Sequence, residues 1–337
     1  MKLAIHKEAG WNSKWIEYCL KHNIPFEKVD GYDTDIIFQL KAKGITHFMW
    51  HFSHAMPQDI LMARNVLYSA EHLGIKVFPN IKTSWFFDDK VSQKYLLEAV
   101  GAPMAESYAF YNKDAALQWL KEKAEYPLVA KLRRGAGSYN VQLLSNFSQA
   151  RRYSLKMFSS GLHPTPGVFA DSKNKLRVAG DFSGILRRLK KLPGFYNMVR
   201  RGKMFPVEKG YVYFQEFISG NKEDLRIGIT EDHIWGVKRK VRQNDFRASG
   251  SGMFHYDMTD VSNELLNRLY SVFKKCEFQS MAFDLVKRPN GDFVIVEISY
   301  GFLSSLFYAA PGYWNGNLEF IEEVVYPEDA IIRNFLR

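Results

Sequence analysis

Apolar positions follow two different patterns along the first eighty residues. Short apolar runs predict strands at 3–5, 26–29, 46–50 and 76–78. Apolar positions at helical spacing predict helices at 14–22, 33–43 and 58–73. Strands that alternate with helices are typical of a parallel sheet. The pattern therefore predicts a small α/β unit at the start of the chain.

The next segment contains a helix whose two ends can be read from the sequence. Asp88 or Asp89 can cap the start of a helix over 91–100. Gly101 can adopt the left-handed conformation after the last turn, and Pro103 prevents the helix from continuing. Further elements are predicted, namely strands at 107–110 and 128–131 and a helix at 114–123.

From residue 210 onward the pattern becomes mainly that of β-strands. The predicted strands are 211–218, 224–229 and 233–241, followed by a polar, glycine-rich loop and a helix over 262–276. The fold class that follows is α/β with a large antiparallel component, that is, α+β in its second half.

Two acids lie on the arms of the last predicted hairpin. If Asn290 and Gly291 form a two-residue turn, counting outward places Asp284 directly opposite Glu297. Their Cβ atoms would then be about 5 Å apart. Such a pair requires a cation between the carboxylates, protonation of one of them, or exposure of both to water. The flanking apolar runs at 281–283 and 293–296 favour a buried strand, and oxygen ligands suit Mg²⁺.

Length and composition limit the class of protein. With 337 residues, 46% of them hydrophobic, the chain is long enough for two or three globular domains. Cys19 and Cys276 lack metal-binding or redox spacing, which suits a reducing compartment. No stretch approaches the length and apolarity of a membrane span, and the start lacks the apolar core of a signal peptide. We therefore expect a cytoplasmic protein.

The formal net charge of +10 is concentrated in one segment. Residues 173–209 contain eleven Lys or Arg against Asp181 and Glu208, which leaves +9. Within this segment, residues 185–192 place apolar side chains on one helical face and basic side chains on the other. Three interpretations remain: a helix packed on its own domain, contact with an anionic membrane or lipid-linked glycan, or contact with an anionic polymer. The membrane contact would make the protein peripheral to the inner face of the membrane. No recognisable nucleic-acid-binding module is present, so we expect no nucleic-acid partner.

Several loops carry residues suited to binding phosphate. Lys131 ends a predicted buried strand and precedes a loop with Gly135, Gly137 and Ser138, which is either a phosphate-binding loop or a plain turn. The strand end Gln215, Glu216, Phe217 and Ile218 leads to Glu223 and Asp224, which could bind a purine and a ribose or form an ordinary β-turn. The basic stretch 238–242 and the loop residue Arg247 could bind phosphate. Alternatively, 238–242 is a solvated basic strand.

The start of the chain offers two weaker candidates for contact with a second substrate. His51 and His54 follow a predicted strand end, where open α/β sheets place ligand contacts, although most single histidines are structural. Residues 11–13 occupy the equivalent position after the first strand.

The order of these motifs resembles the ATP-grasp superfamily, particularly the RimK-type and D-alanine:D-alanine ligase-like enzymes. The resemblance covers essentially the whole chain. It implies a Rossmann-like pre-ATP-grasp domain over 1–84, a linker helix and lid subdomain over 85–209 that contains the basic insertion 173–209, and an antiparallel C-terminal core over 210–337. It also implies ATP and Mg²⁺ as cofactors.

The resemblance assigns roles residue by residue. Lys90 and Lys131 would hold the α- and β-phosphates beneath the loop of Gly135, Gly137 and Ser138. Gln215, Glu216, Phe217 and Ile218 would form the adenine-binding hinge, with Glu223 or Asp224 near the ribose. Arg239 and Arg247 would face the γ-phosphate and the acyl phosphate, with Arg242 as a third catalytic arginine. Asp284, Glu297 and Ser299 would hold the metal.

Two residues depart from the pattern of the superfamily. Ser299 stands where many members have Asn, which puts a second metal ion in doubt. Asn140 stands where a glycine often follows the loop. Residues 244–252 and 311–314 resemble a subgroup associated with bacterial cell-surface polysaccharide synthesis.

The function that the resemblance implies is a carboxylate–amine ligase acting through an acyl phosphate, with a uronic acid or other carboxylated sugar as one substrate. The alternatives are a small-molecule kinase of the same fold and a nucleotide-binding protein without turnover.

Overall fold

The structure, a computed structural model, describes residues 1–7, 10–54, 56–135, 140–164, 205–241 and 252–337. Four predicted site residues, Gly137, Ser138, Arg242 and Arg247, lie outside the described residues, as do residues 173–204 of the basic segment and residues 244–251 of the polysaccharide-subgroup motif. The chain forms two compact units. Unit 1 comprises Met1–Phe87, Tyr95–Met104 and Gly220–Arg337, and unit 2 comprises Asp88–Lys94 and Ala105–Ser219.

The first part of unit 1 is a parallel sheet with helices, which confirms the α/β prediction. Its strands are β1 (Leu3–His6), β2 (Phe26–Val29), β3 (His47–Met49) and β4 (Lys76–Phe78), in the order β2-β1-β3-β4. Its helices are α1 (Trp11–Lys21), α2 (Ile36–Ala42), α3 (Pro57–His72) and α4 (Ile81–Ser84). Helix α1 begins three residues earlier than predicted, so residues 11–13 form its first turn, with Trp11 and Asn12 buried.

The helix α5 (Lys90–Ala99) ends as its sequence predicts. Asp89 caps its start, since its Oδ1 accepts a hydrogen bond from Ser92 N at 3.1 Å. Gly101 follows the helix with φ of 68°, the left-handed conformation that favours glycine.

Unit 2 contains a four-stranded antiparallel sheet with the order β5-β8-β6-β7. The strands are β5 (Ser107–Phe110), β6 (Leu128–Lys131), β7 (Val141–Leu144) and β8 (Val212–Glu216), and the helices are α6 (Lys113–Glu122) and α7 (Phe147–Met157). Strand β8 thus belongs to this sheet, whereas the predicted domain boundary after residue 209 assigns it to the C-terminal core. The three-domain division stays a prediction.

A seven-stranded sheet forms the second part of unit 1, and it bears out the antiparallel component of the predicted fold class. The strands are β9 (Glu223–Thr230), β10 (Ile234–Lys240), β11 (Phe254–His255), β12 (Ser280–Lys287), β13 (Phe293–Ser299), β14 (Tyr313–Trp314) and β15 (Phe320–Ile321). They follow the order β13-β12-β9-β10-β14-β15, with β11 paired to β10. Unit 1 also contains the helices α8 (Asn263–Lys275) and α9 (Pro327–Leu336), a short 3-10 helix at Ser304–Phe307 and the second half of α5.

The hairpin of β12 and β13 has the predicted pairing of Asp284 with Glu297 but reaches it differently. The predicted two-residue turn is wrong: Arg288 N donates to Asp292 O at 2.7 Å, so the loop is 289–291, and Gly291 has φ of 96°. This shifts the pairing by one residue, so that Leu285 faces Ile295. A bulge between Asp284 and Leu285 then restores the expected register.

Among the residues that the structure describes, no helix is long and apolar enough to cross a membrane.

Candidate active site

Two arginines bind two carboxylates on the central strands of the seven-stranded sheet. The register places Arg226 of β9 opposite Asp284 of β12, and Arg239 of β10 opposite Asp224 of β9. Arg226 donates to Asp284 at 2.6 and 2.8 Å, and Arg239 donates to Asp224 at 2.7 Å through each of two nitrogens. Arg239 also lies 3.1 Å from Asp284 Oδ2. The four side chains therefore form one network of charge-assisted hydrogen bonds.

Burial and the neighbouring charges shift the pKa values of the two acids in this network. Asp284 is only 9% exposed and Arg239 only 5%. Burial alone would raise the pKa of Asp284, but the positive charges of Arg226 and Arg239 outweigh it and hold that pKa well below its usual range. Burial raises the pKa of Asp224, which has Arg239 as its main counter-charge and feels repulsion from Asp284. Asp284 is thus the more firmly ionised of the two acids.

Arg226 is the functional candidate that the sequence analysis missed. Asp224 and Arg226 share one face of β9 because side chains alternate along a strand, and that spacing was visible in the sequence. The partner on β12 was not visible, since Arg226 and Asp284 are 58 positions apart. The Arg226 guanidinium donates to both carboxylate oxygens of Asp284, which the sequence analysis assigned to a metal ion.

Glu297 and Ser299 extend the acidic face along β13. Glu297 lies opposite Asp284 and Ser299 lies opposite Ala282, so these side chains point to one face of the sheet. Both Glu297 and Ser299 are half-buried. Their arrangement places two carboxylates and one hydroxyl on the same face of two neighbouring strands.

The donor set on this face suits Mg²⁺ as part of a larger coordination shell. No group of three or more His, Cys, Asp or Glu able to hold a metal occurs among the described residues. Mg²⁺ in nucleotide enzymes typically takes one or two carboxylates and completes its shell with water and phosphate oxygens. The three contacts from Arg226 and Arg239 leave Asp284 about one of its roughly four lone-pair sites. Asp284, Glu297 and Ser299 therefore fit a metal that arrives with a nucleotide.

The same ends of β9 and β10 carry a second cluster of charges on the opposite face of the sheet. Lys238 is 7% exposed, and its Nζ lies 2.5 Å from Asp260 and 3.5 Å from Glu223. Glu223 Oε2 also lies 2.8 Å from His255 Nε2. Burial would lower the pKa of Lys238, but the hydrogen bond to Asp260 raises it above its usual value. Lys238 is therefore a buried, charged residue rather than part of a solvated strand.

Lys131 and Gln215 meet in unit 2. Both are buried, and Lys131 Nζ donates to Gln215 Oε1 at 2.7 Å across the neighbouring strands β6 and β8. Gln215 Nε2 in turn donates to Ser107 Oγ at 3.0 Å. The structure thus places the predicted phosphate-binding lysine against the start of the predicted hinge.

Lys90 lies against the described start of the glycine loop. Lys90 Nζ donates to Gly135 O at 2.7 Å, and Gly135 N donates to Asp88 Oδ1 at 2.8 Å. Gly135 has φ of 108°, which a residue with a Cβ rarely adopts. Arg133 Nε donates to Asp89 at 2.7 Å. Burial would raise the pKa of Asp89, but the bond from Arg133 lowers it below the usual value.

The remaining hinge residues are the last residue of β8, Glu216, and the two residues after it. Glu216 Oε1 accepts a hydrogen bond from Glu106 N at 2.8 Å, which ties the strand end to the segment before β5. Phe217 and Ile218 are half-buried and lie outside regular secondary structure. Their contact with adenine stays a prediction.

His51 is anchored at the carboxyl end of the parallel sheet. Its ring stacks on Trp11 with centroids 4.2 Å apart, and its backbone N donates to Asn12 Oδ1 at 2.8 Å. Burial lowers the pKa of His51 to about 3, so the ring is neutral at physiological pH. The ring of His54 lies 5.9 Å from that of Phe87. Roles for these two histidines in substrate contact stay predictions.

Comparison with known proteins identifies the fold. No family model and no curated protein matches the chain. D-cycloserine synthetase DcsG aligns with a TM-score of 0.56 and 12% identity over 90% of this chain and 92% of its own. The ATP-grasp ligase PsnB, solved with a minimal precursor, aligns with a TM-score of 0.54 and 13% identity over 99% of this chain and 98% of its own.

A third similar structure is a larger protein. The biotin carboxylase domain of 2-oxoglutarate carboxylase from Hydrogenobacter thermophilus, solved with MgADP, ADP and bicarbonate, aligns with a TM-score of 0.55 and 11% identity. The alignment covers 90% of this chain but only 64% of that one. At these identities the similarity concerns the fold, and the chain has the ATP-grasp fold that its sequence resembles.

Proposed function

We propose that this protein is an ATP-dependent carboxylate–amine ligase. The observation that carries the proposal is the pair Asp284 and Glu297, opposite each other on one face of the antiparallel sheet of an ATP-grasp fold. In the proposed reaction a carboxylate oxygen attacks the γ-phosphorus of ATP and ADP leaves. The nitrogen of an amine then attacks the acyl carbon, phosphate leaves, and the nitrogen loses a proton.

The role proposed for unit 1 is charge stabilisation. Mg²⁺ held by Asp284, Glu297 and Ser299 would neutralise charge on the phosphate groups. Arg226 and Arg239 are held in fixed positions by their carboxylate partners at 2.6 to 2.8 Å. Groups held in this way stabilise developing charge without a cost of reorganisation. Arg242 and Arg247 are proposed for the same task.

The role proposed for unit 2 is nucleotide binding. Lys90 and Lys131 donate to a carbonyl oxygen and an amide oxygen at 2.7 Å, and phosphate oxygens can replace such neutral acceptors. Gln215, Glu216, Phe217 and Ile218 are proposed to bind the adenine, and Gly135, Gly137 and Ser138 to cover the phosphates. Glu223 or Asp224 of unit 1 is proposed to contact the ribose, although both already bind basic side chains.

For the carboxylate we propose a uronic acid or another carboxylated sugar used in cell-surface polysaccharide synthesis. The support is the sequence resemblance at 244–252 and 311–314. Contact of residues 173–209 with an anionic membrane or lipid-linked glycan is proposed on the basis of their charge alone.

The test is a screen of ADP and phosphate release against pairs of acids and amines. We expect release that requires both an acid and an amine, and transfer of ¹⁸O from a labelled carboxylate to inorganic phosphate. A stable phosphorylated product without amide would point to a kinase instead. Nucleotide binding without ADP formation across the screen would contradict an enzymatic function.

A further inference from the structure

Gly135, at the start of the glycine loop in unit 2, is held by two charged side chains of the same unit. Gly135 N donates to Asp88 Oδ1 at 2.8 Å, and Gly135 O accepts from Lys90 Nζ at 2.7 Å. The backbone N–H groups of a glycine loop and the ammonium group of a lysine are donors that bind phosphate in such loops. Two proposed phosphate-binding donors therefore have partners inside the protein, and the partner of the N–H group is a carboxylate.

Asp88 has an uncommon backbone conformation. Its φ of 55° lies in the left-handed region, which is rare for residues other than glycine, although Asp and Asn tolerate it better than most. Capping of α5 does not require Asp88, because Asp89 Oδ1 accepts the capping bond from Ser92 N. Conformations of this kind cost free energy and cluster at functional sites. The described contact that accompanies this conformation is the bond from Gly135 N to the Asp88 carboxylate.

Asn140 connects the two described ends of the loop. Leu132 N donates to Asn140 O at 3.0 Å, and Asn140 Nδ2 donates to Arg134 O at 3.4 Å. A Cβ added to Gly135 would lie 2.4 Å from Asn140 Nδ2, and the φ of 108° at Gly135 also favours glycine. The start of the loop is therefore packed closely against the residue that ends it.

The charge of Asp88 also acts on its surroundings. Burial raises the pKa of Glu208, and repulsion from the carboxylate of Asp88 adds to that rise. A phosphate group is also negatively charged, so it would meet the same repulsion if it approached Gly135 N while Asp88 is bound there. The Asp88 carboxylate and a phosphate oxygen therefore exclude each other at this donor.

We propose that Asp88 competes with the phosphates of the nucleotide for the N–H group of Gly135 and so limits the affinity for ATP. The proposal rests on the proposed nucleotide site of unit 2. A phosphate oxygen that binds Gly135 N would displace the Asp88 carboxylate, and Lys90 would exchange Gly135 O for a second phosphate oxygen. Part of the binding free energy of ATP would then be used to break the charge-assisted bond between Gly135 and Asp88. The contact is autoinhibitory in this sense.

Asp88→Asn tests the competition, because Asn has the same size, tolerates the left-handed backbone and carries no charge. In calorimetric titrations of the full chain, we expect MgATP to bind Asp88→Asn about tenfold more tightly than the unmodified protein, since a charge-assisted bond becomes a neutral one and the repulsion is lost. Asp88→Gly also removes the strain at φ of 55° and should increase the affinity at least as much. Adenosine, which has no phosphate, should bind all three proteins equally.

The sign of the effect separates this proposal from a purely structural role. If Asp88 only braced the loop, its loss would release Gly135 and weaken the binding of MgATP. Asp114→Asn makes the same change of charge at an exposed position in the first turn of α6 and should leave MgATP binding unchanged. In the ligand-free proteins, the amide hydrogen of Gly135 should exchange with water faster in Asp88→Gly than in the unmodified protein.

The possible outcomes distinguish the competition from the nucleotide site itself. Equal or weaker binding of MgATP by both Asp88 variants, or an equal gain in affinity for adenosine, would overturn the competition and leave the nucleotide site in place. Unchanged exchange of the Gly135 amide in Asp88→Gly would also contradict the competition. If none of the proteins bound MgATP, the nucleotide site would be wrong, and the competition with it.

Discussion

Some hydrogen bonds of the basic side chains go to charged acceptors in one candidate site and to neutral acceptors in the other. In unit 1, Arg226 and Arg239 bind carboxylates through two nitrogens each, and every member of the network is charged. In unit 2, Lys90 and Lys131 donate at 2.7 Å to neutral oxygens of a backbone carbonyl and a side-chain amide. Charge-assisted pairs hold their geometry in the absence of a ligand, whereas bonds to neutral oxygens are exchanged more readily. We therefore expect unit 1 to be preorganised and unit 2 to respond to the nucleotide.

The largest expected effect comes from removing Arg239. Arg239→Ala leaves Asp224 and Asp284 buried with less counter-charge, and breaking a buried ion pair in this way costs about 3–5 kcal/mol. The free energy of unfolding in denaturant measures the loss. The exposed Arg268→Ala on α8 is the control, with an expected change within about 0.5 kcal/mol. Adding Asp224→Asn to Arg239→Ala should recover part of the loss; equal small losses in both variants would contradict a preorganised network.

The next effect is stabilisation by the nucleotide. Among the described residues, Asp224, Asp284 and Glu297 carry three negative charges and Arg226 and Arg239 two positive ones, which leaves −1 for these five side chains without metal. Mg²⁺ alone should therefore bind weakly and leave the melting temperature unchanged. ATP with Mg²⁺ at about 100 times its Kd should raise the free energy of unfolding by about 2.7 kcal/mol. Stabilisation by low millimolar Mg²⁺ alone would indicate a closed metal site instead.

A smaller change in stability is expected from Lys131→Met. The variant removes the 2.7 Å hydrogen bond from Lys131 to Gln215 Oε1, which costs about 1–2 kcal/mol, less than the loss of Arg239. It should also abolish the stabilisation by ATP, measured in the same thermal scans. Lys123→Met, an exposed lysine in unit 2, should retain that stabilisation. Full stabilisation of Lys131→Met by ATP would rule out its role at the phosphates.

The smallest expected effect is a difference between the pKa of Glu208 in unit 2 and the pKa of Asp284 in unit 1. Burial raises the pKa of Glu208 in unit 2 above 4.5, whereas Arg226 and Arg239 outweigh burial at Asp284 and hold its pKa below 3.8. As the pH falls, protonation of Glu208 therefore favours the folded state. The contribution of Asp284 is fully present above 3.8 and is lost only as the pH falls through its lower folded pKa. Carboxyl ¹³C shifts should show Glu208 titrating first; the reverse order would contradict the network.

Local patterns were sufficient for many of the elements, although not for β7, α7, β14, β15 and α9, and for one pair of site residues. Capping and termination signals defined α5, and counting outward from a predicted two-residue turn placed Asp284 opposite Glu297. The turn prediction was nevertheless wrong, and the pairing survived because a bulge offset the longer loop. A bulge adds one residue to one strand of a pair, and the local apolar pattern did not indicate it.

Contacts between distant segments could not be predicted in the same way. Lys131 and Gln215 are 84 positions apart, and Arg133 and Asp89 are 44 apart. Their pairing depends on which strands become neighbours, and a single sequence contains no direct record of that choice.

The most direct test of the proposed function is ADP formation by Glu297→Gln. The substitution removes one negative charge from the metal-binding face of β13 and keeps the size of the side chain. With an active acid and amine pair, we expect ADP formation to be abolished while the melting temperature stays close to that of the unmodified protein. Asp292→Asn, at an exposed position of the same hairpin, should keep full activity. Turnover that survives in Glu297→Gln would contradict the assignment of Asp284 and Glu297 to the metal of a bound nucleotide.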